Sequence, residues 1–234
     1  MTGDAVTEPG LEARLHAVQA EVAAASRAAG RDADDLTLIV VTKFHPASLV
    51  EDLARLGVRD MGENRHQEAQ EKSVALADLD LRWHFVGQLQ TKKAKQAAQY
   101  AHAVHSVDRE RLVDALGGAI AGTGKQLDVF LQVNLTQDPG RGGAAPEDLE
   151  RLAEHALGVS GLQLRGVMAV APLDEAPAAS FERLAGYSER VRAIAPTATA
   201  ISAGMTHDFR EAIAAGATHL RIGSAITGKR PEPR

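Results

Sequence analysis

Apolar or β-rich runs alternate with stretches of helical periodicity along almost the whole chain, and this alternation constrains the fold more than any single motif. The runs fall at residues 36–42, 58–62, 82–86, 103–107, 127–135, 162–170, 197–202 and 218–222. The helical stretches fall at 47–56, 65–76, 91–100, 109–120, 146–157, 177–194 and 208–215. Strand followed by helix, repeated, builds a parallel sheet, because parallel neighbours need a long crossover between them. A further helix precedes the first run: Leu11, Leu15, Val18 and Val22 share one face, and Gly30 offers a C-cap. About eight strands in 234 residues, 44% of them hydrophobic, predict one core and a single α/β domain, a (β/α)8 TIM-like barrel with an extra N-terminal helix. An open, doubly wound sheet is the alternative. The barrel domain is expected over residues 11–230, after a disordered N-terminus at residues 1–10.

Charge narrows the partners. A net charge of −5 disfavours nucleic acid and anionic membrane, and the basic cluster Lys92, Lys93 and Lys95 reads as a solvated helix face. Without cysteine there are no disulfides, thiolate nucleophiles or cysteine zinc sites, which suits a cytoplasmic protein. No apolar run approaches the roughly 20 residues of a membrane span, and residues 1–10 lack a basic start followed by an apolar signal core.

In a barrel, chemistry collects where strands end and βα loops begin. That rim is predicted to carry Lys43, Glu63, Asn64, His84, Gly87, Ser106, Asp108, Asn134, Met168, Ser202 to Met205 and Arg221 to Ser224. Lys43 ends the unbroken run 36–42; burial there would lower its amine pKa and expose a lone pair able to form a Schiff base with an aldehyde. A lysine that snorkels to solvent is the alternative. Ser202-Ala203-Gly204-Met205-Thr206 and Arg221-Ile222-Gly223-Ser224 place small residues and hydroxyls where strands 7 and 8 give way to helix or turn. Each alone reads as an N-cap, but together they match the phosphate site that barrels often build there. Arg221 alternates with Leu220 and Ile222, so it faces the side opposite them; if that side is the barrel mouth it can donate to a heterocyclic nitrogen, the alternative being a structural ion pair, for instance with Glu63. An amine, a phosphate cup and an arginine on one rim match the aldehyde, phosphate and pyridine nitrogen of pyridoxal 5'-phosphate (PLP).

The motifs Val41-Thr42-Lys43, Gly62-Glu63-Asn64 with Gln67-Glu68, Trp83-His84-Phe85-Val86-Gly87 with Leu89-Gln90, and Gln132-Val133-Asn134 occur in this order. They continue with Gly166-Val167-Met168-Ala169, Ser202-Ala203-Gly204-Met205-Thr206 with Asp208-Phe209, and Arg221-Ile222-Gly223-Ser224-Ala225-Ile226. From about Leu36 to Gly228 the chain thus resembles the YggS/PROSC family, the pyridoxal phosphate homeostasis proteins. The resemblance implies a barrel like the N-terminal domain of alanine racemase, with Lys43 as the aldimine lysine and Arg221 facing the pyridine nitrogen. It further implies phosphate contacts from Ser202, Gly223 and Ser224, and packing around the ring by Asn64, Met168 and Met205. Departures from residues common in the family are Ala203 for Met, Thr206 for Ser, Gln88 for Pro and Thr227 for Phe. Thr206 keeps the hydroxyl, whereas the smaller Ala203 and Thr227 are expected to loosen the cofactor's apolar surround.

Racemases resembling this barrel use a second acid/base, a tyrosine from an additional β-domain, for which this chain has no room. Its two tyrosines, Tyr100 and Tyr187, fall in predicted helices where partial burial is expected. Without an opposing proton carrier stereoinversion should be slow, and an arginine at the ring nitrogen weakens the ring as an electron sink. The expectation is therefore a monomeric, non-catalytic protein of intracellular PLP homeostasis, holding PLP as an internal aldimine and buffering it or delivering it to PLP-dependent apoenzymes. A small PLP-dependent amino-acid racemase is the alternative. His102 and His105 are spaced like metal ligands but lack an HExxH motif or carboxylate cluster, His84 reads as structural, and Gly122-Thr123-Gly124-Lys125 is an incomplete phosphate loop that reads as plain loop.

Overall fold

The computed structural model describes residues 10–138 and 140–229; the disordered N-terminus expected at residues 1–10 lies, Gly10 apart, outside the described residues. Eight parallel strands pair in chain order into a closed barrel: β1 (Thr37–Val41), β2 (Asp60–Glu63), β3 (Arg82–Phe85), β4 (Ala101–Val107), β5 (Leu127–Gln132), β6 (Leu162–Met168), β7 (Ala200–Ser202) and β8 (His219–Ile222). Pairing of β8 back onto β1, from Thr37↔His219 to Val40↔Ile222, excludes the open sheet. Around it run α2 (Ala47–Arg55), α3 (His66–Ala75), α4 (Ala94–Tyr100), α5 (Glu110–Ile120), α6 (Leu149–Leu157), α7 (Pro177–Ile194) and α8 (Phe209–Ala214), while α1 (Leu11–Ala28) precedes β1 and the single turn α9 (Ser224–Thr227) follows β8.

Element ends differ from the sequence reading where local chemistry intervenes. The helical stretches at 91–100 and 146–157 each open with a 3-10 turn, Thr91–Lys93 and Pro146–Asp148. The run 127–135 stops as strand at Gln132, because the loop residue Ala144 takes the next bonds, its N–H donating to Gln132 O and its carbonyl accepting from Asn134 N–H. β6 carries a register shift between Leu164 and Gly166 against β5. Gly166 makes this possible: at φ 153° a Cβ would stand 1.8 Å from Ala200 O.

The helix before the barrel is tied to its end. Leu15, Val18 and Val22 of α1 are buried against α8 and α9, each burial worth about 1.5–3 kcal/mol. Arg14 Nε donates to Ile226 O at 2.7 Å, and Arg31 Nη1 donates to Ile213 O and Ala217 O at 3.0 and 2.6 Å.

Two unlike cores result. Outside the sheet, Val40, Met61, Phe85, Leu131, Val167, Leu220 and Ile222 meet Leu53, Leu112, Leu152, Phe181 and Leu184 of the helices in one large apolar cluster. Inside it, the apolar cluster is small: Ala103, Phe130 and Met168, with Ala200 packed against them. Barrels are usually filled by branched apolar side chains. Here His84, His105, Ser202 and Arg221 are buried as well, His105 stacking on Phe130 with ring centroids 4.2 Å apart. Polar groups in such a place must satisfy one another.

Candidate functional site

The β1 end sets the geometry. Thr42 N–H continues the ladder to Gly62 O at 2.9 Å, then the chain turns and His45 N–H closes on Thr42 O at 3.1 Å. Phe44 sits in this turn at φ 68°, alone among the described non-glycine residues in the left-handed region. Such a conformation costs about 1–3 kcal/mol and persists only where neighbours enforce it. They do so through Glu68, whose Oε1 accepts the Phe44 N–H, and through Arg65, whose guanidinium lies 4.5 Å above the Phe44 ring. Lys72 Nζ then donates to Thr42 O (2.8 Å), Glu63 Oε1 (2.6 Å) and Glu68 Oε1 (2.9 Å), while Thr42 Oγ1 donates to Glu63 Oε1 (2.7 Å). Lys43, half-buried, is thus carried on a turn clamped from β2 and α3.

This corrects one sequence expectation: the partner of Glu63 is Lys72, and Arg221 bonds elsewhere. The strand alternation explains it, because Asp60 bonds into the barrel, Met61 packs on the helices, and Glu63 falls on the Met61 side, toward α3. Burial raises the Glu63 pKa, opposed by the charge and hydrogen bond of Lys72.

Lys43 opens on a cavity of about 250 Å³ shared by three strand ends. Val41, Lys43 and His45 come from β1 and its turn, Met205, Thr206 and His207 from the loop after β7, and Gly223, Ser224, Thr227 and Gly228 from the end of β8 and α9. The β7 loop is stiff: Gly204 adopts φ 92°, Met205 N–H donates to Asp208 Oδ1, and Phe209 N–H donates to Met205 O at 3.0 Å. At the β8 end Gly223 O accepts the N–H groups of both Ile226 (2.8 Å) and Thr227 (2.9 Å). The N–H groups of Ser224 and Ala225 precede these first bonds of the turn, as at any helix start. A Cβ on Gly223 would stand 3.2 Å from Val41 O, so the backbone passes close to β1.

Ser202 and Arg221 lie further inside and are bonded to each other. Arg221 Nη1 donates to Ser202 Oγ at 2.6 Å and Nη2 to Ala169 O at 2.8 Å, and Ser202 Oγ also contacts His105 Nδ1 at 2.8 Å. Burial pushes the Arg221 pKa down to about 10, against the opposing charge of Asp208, so the group remains a cation at neutral pH. Met168 is buried beside Phe130 and pairs in register with Ser202. Asn64 follows β2, and its buried Oδ1 has no hydrogen-bond partner among the described residues. Of the eight residues proposed from sequence, Lys43, Met205, Gly223 and Ser224 line the cavity; Ser202, Arg221 and Met168 form a connected group inside the barrel; Asn64 stands at the neighbouring strand end.

Other expectations resolve individually. Ala203 is fully buried in the helix-facing cluster, so its small size bears on that layer, whereas Thr227 does line the cavity. His102 is exposed and 3.9 Å from Asp128, while His105 is buried; no group able to hold a metal occurs among the described residues. Lys125 of the loop Gly122-Thr123-Gly124-Lys125 donates to the α4 carbonyls of Ala98 and Gln99 at 2.7 and 3.1 Å. Tyr100 and Tyr187 are partly buried in α4 and α7, and burial with the Glu63 charge holds the Tyr100 phenol well above its usual range. Sequence reasoning passed over His45, His207 and the Lys72 clamp. His45 carried a signal, being two residues past Lys43; Lys72 carried none, reading as one more polar residue of a helix.

Comparison with known proteins places these observations in context. The family described as alanine racemase, N-terminal domain, matches residues 14–231. A pyridoxal phosphate homeostasis protein of Mycobacterium tuberculosis (strain ATCC 25618 / H37Rv) is 40% identical over 235 residues, covering 92% of this chain and 91% of that one. PipY of Synechococcus elongatus PCC7942, solved with PLP bound, superposes with a TM-score of 0.83 at 32% identity, covering 94% of this chain and all of PipY; its structure without PLP gives 0.84. Alanine racemase from Corynebacterium glutamicum shares the fold, with a TM-score of 0.65 at 16% identity over 93% of this chain and 62% of the racemase.

Proposed function

Because the chain belongs to the pyridoxal phosphate homeostasis proteins, within the alanine racemase N-terminal domain family, we infer that it binds PLP in the cavity beside Lys43 and serves intracellular PLP homeostasis by holding and releasing the cofactor. The observation that carries this reading is the cavity at one barrel mouth where Lys43 meets the loop after β7 and the end of β8, with Arg221 buried further inside and bonded to Ser202. The residues fit the group. Helix-start N–H groups at Ser224 and Ala225, with the Ser224 and Thr206 hydroxyls, suit a phosphate. The buried Asn64 Oδ1 is a polar atom in want of a partner, and Met205 and Met168 offer apolar surface for a flat ring.

When bound, PLP supplies an aldehyde that condenses reversibly with an amine, its ring acting as an electron sink. Lys43 provides that amine, fixed in place by the clamped turn. Gly223 would let the backbone approach a phosphate closely, and Arg221, a permanent donor, would keep a ring nitrogen beside it unprotonated and so limit the sink. That combination suits retention more than turnover, and relatives sharing 32–40% identity are named for homeostasis. The racemase reading draws only on the shared fold.

As parts of the same reading, the chain acts in the cytoplasm as a monomer that passes PLP to PLP-dependent apoenzymes. No described helix is long and apolar enough to cross a membrane. Borohydride reduction of PLP-loaded protein should leave a pyridoxyl adduct on Lys43 by mass spectrometry, and Lys43→Ala should leave none. An adduct elsewhere refutes the site, and Lys43-dependent racemisation of either alanine enantiomer refutes the carrier reading.

A further inference from the structure

The polar interior is continuous. His84 Nε2 lies 2.9 Å from Asp60 Oδ1, His84 Nδ1 lies 2.9 Å from His105 Nε2, His105 Nδ1 lies 2.8 Å from Ser202 Oγ, and Arg221 Nη1 lies 2.6 Å from the same oxygen. The chain starts at the first residue of β2, on the N-terminal side of the barrel, and ends two residues before Gly223 at the cavity. Its two ends are chemically fixed. A guanidinium can only donate, so Ser202 Oγ accepts from Arg221. At the far end burial raises the Asp60 pKa, but hydrogen bonds and charge from His84 and Arg82 together bring it below the usual carboxylate value. Asp60 is therefore an ionised acceptor, and His84 Nε2 donates to it.

Between an obligate donor and an obligate acceptor, the two imidazoles and the Ser202 hydroxyl form one continuous series. His105 is neutral, since burial and then the neighbouring positive charges push it well below its ordinary value. A neutral His105 carries one N–H and one lone pair, so it donates to one of its two neighbours and accepts from the other. Both of its ring nitrogens are engaged, one toward His84 and one toward Ser202 Oγ, which takes the Arg221 N–H.

We propose that Asp60, His84, His105 and Ser202 are positioning residues for Arg221, forming one continuous chain that aims its guanidinium at the ring nitrogen of bound PLP. The inference rests on the PLP reading above. Two of the five N–H groups of Arg221 are held, by Ser202 Oγ and Ala169 O, which fixes the plane in which the others project. The far end is anchored in turn by Arg82, whose Nε and Nη2 donate to the two Asp60 oxygens at 2.8 and 2.6 Å. An ion pair on one face of the barrel is thereby linked to the cavity on the other.

The first test needs no cofactor. In ¹⁵N-histidine-labelled PLP-free protein at pH 7.5, long-range ring correlations should show His105 as a single neutral tautomer with both ring nitrogens hydrogen-bonded. Exchange between two tautomers, or a His105 nitrogen without a bonded partner, overturns the chain. The second test loads PLP onto His105→Phe, Ser202→Ala, Ser202→Thr and Asp60→Ala proteins, with near-ultraviolet circular dichroism confirming the fold. The first two should weaken PLP affinity by about ten-fold and shift the visible band while the adduct stays on Lys43; Ser202→Thr should retain both, and Asp60→Ala should shift the band from the far end. Wild-type affinity and band in His105→Phe and Ser202→Ala would overturn the proposal. Failure of the wild-type protein itself to take up PLP would instead overturn the proposed function, and the tautomer result would be unaffected by it.

Discussion

Replacing Lys72 by Met should be among the most damaging single changes outside the cavity, and its cost should depend on pH. Met keeps the length and apolar stem but removes the ammonium that meets Glu63, Glu68 and the Thr42 carbonyl. The Lys72 side chain is 6% exposed and that of Glu63 1% exposed, so water cannot replace the lost partner, and Glu63 Oε2 already has none among the described residues. Stranding one member of a buried ion pair costs about 3–5 kcal/mol. At about 2–4 °C per kcal/mol for a domain of this size, Tm should fall by roughly 6–20 °C. The sign with pH follows from Glu63, whose folded pKa burial already raises and whose main opposing influence is Lys72. In the variant the folded state holds the Glu63 proton more tightly than the unfolded state does. The deficit relative to wild type is therefore full above the folded pKa and shrinks as pH falls through it. Urea unfolding of both proteins at pH 7.5 and 5.5 measures this, and Glu63→Gln combined with Lys72→Met should recover most of the loss. A deficit below about 1 kcal/mol, one independent of pH, or a double variant as weak as the single would refute the reasoning.

Acid should unfold the wild-type protein earlier than its composition suggests. Burial, with the charge of His84 behind it, pushes His219 from 6.5 down to about 4, and His105 shifts the same way. Both stay neutral in the fold while the unfolded chain takes up their protons, so stability should decline from about pH 6.5 to about pH 4; a urea midpoint flat across that range contradicts the assignment. Gly166→Ala should lose at least about 3 kcal/mol or fail to fold, since its Cβ would meet Ala200 O at 1.8 Å, and soluble variant with an unchanged thermal midpoint would disprove the role given to the β6 irregularity. Gly118→Ala in α5, with nothing within 4 Å of the added Cβ, should raise stability by about 0.5–1 kcal/mol, which thermal unfolding would register as a small rise in midpoint.

Periodicity exposed the architecture because in a barrel each strand is buried on both faces, which writes long apolar runs such as 36–42 into the sequence. It exposed Lys43, Gly223 and Ser224 for a related reason: they follow such runs directly, and strand ends are where a barrel opens. What lies across the barrel was hidden. His84 and His105 are separated by 21 residues and belong to strands whose apolar neighbours dominate the pattern, so nothing local marks their rings as bonded. Glu63 and Lys72 come from a strand and the helix after it, and their pairing depends on which way Glu63 turns at the β2 end. Ser202 shows the same limit from the other side: its position at a strand end was legible, but the direction of its hydroxyl, inward to Arg221, was not.

A barrel lined with donors and acceptors changes under different rules from one lined with methyl groups. Apolar fillers can be exchanged for others of similar volume at modest cost. In the Asp60-to-Arg221 series each atom completes the valence of the next, so a lone swap to leucine at any link would leave two neighbours unsatisfied. Substitutions along this line should therefore be tolerated in concert and rejected singly, and relatives that have lost one link should have lost the adjoining one as well.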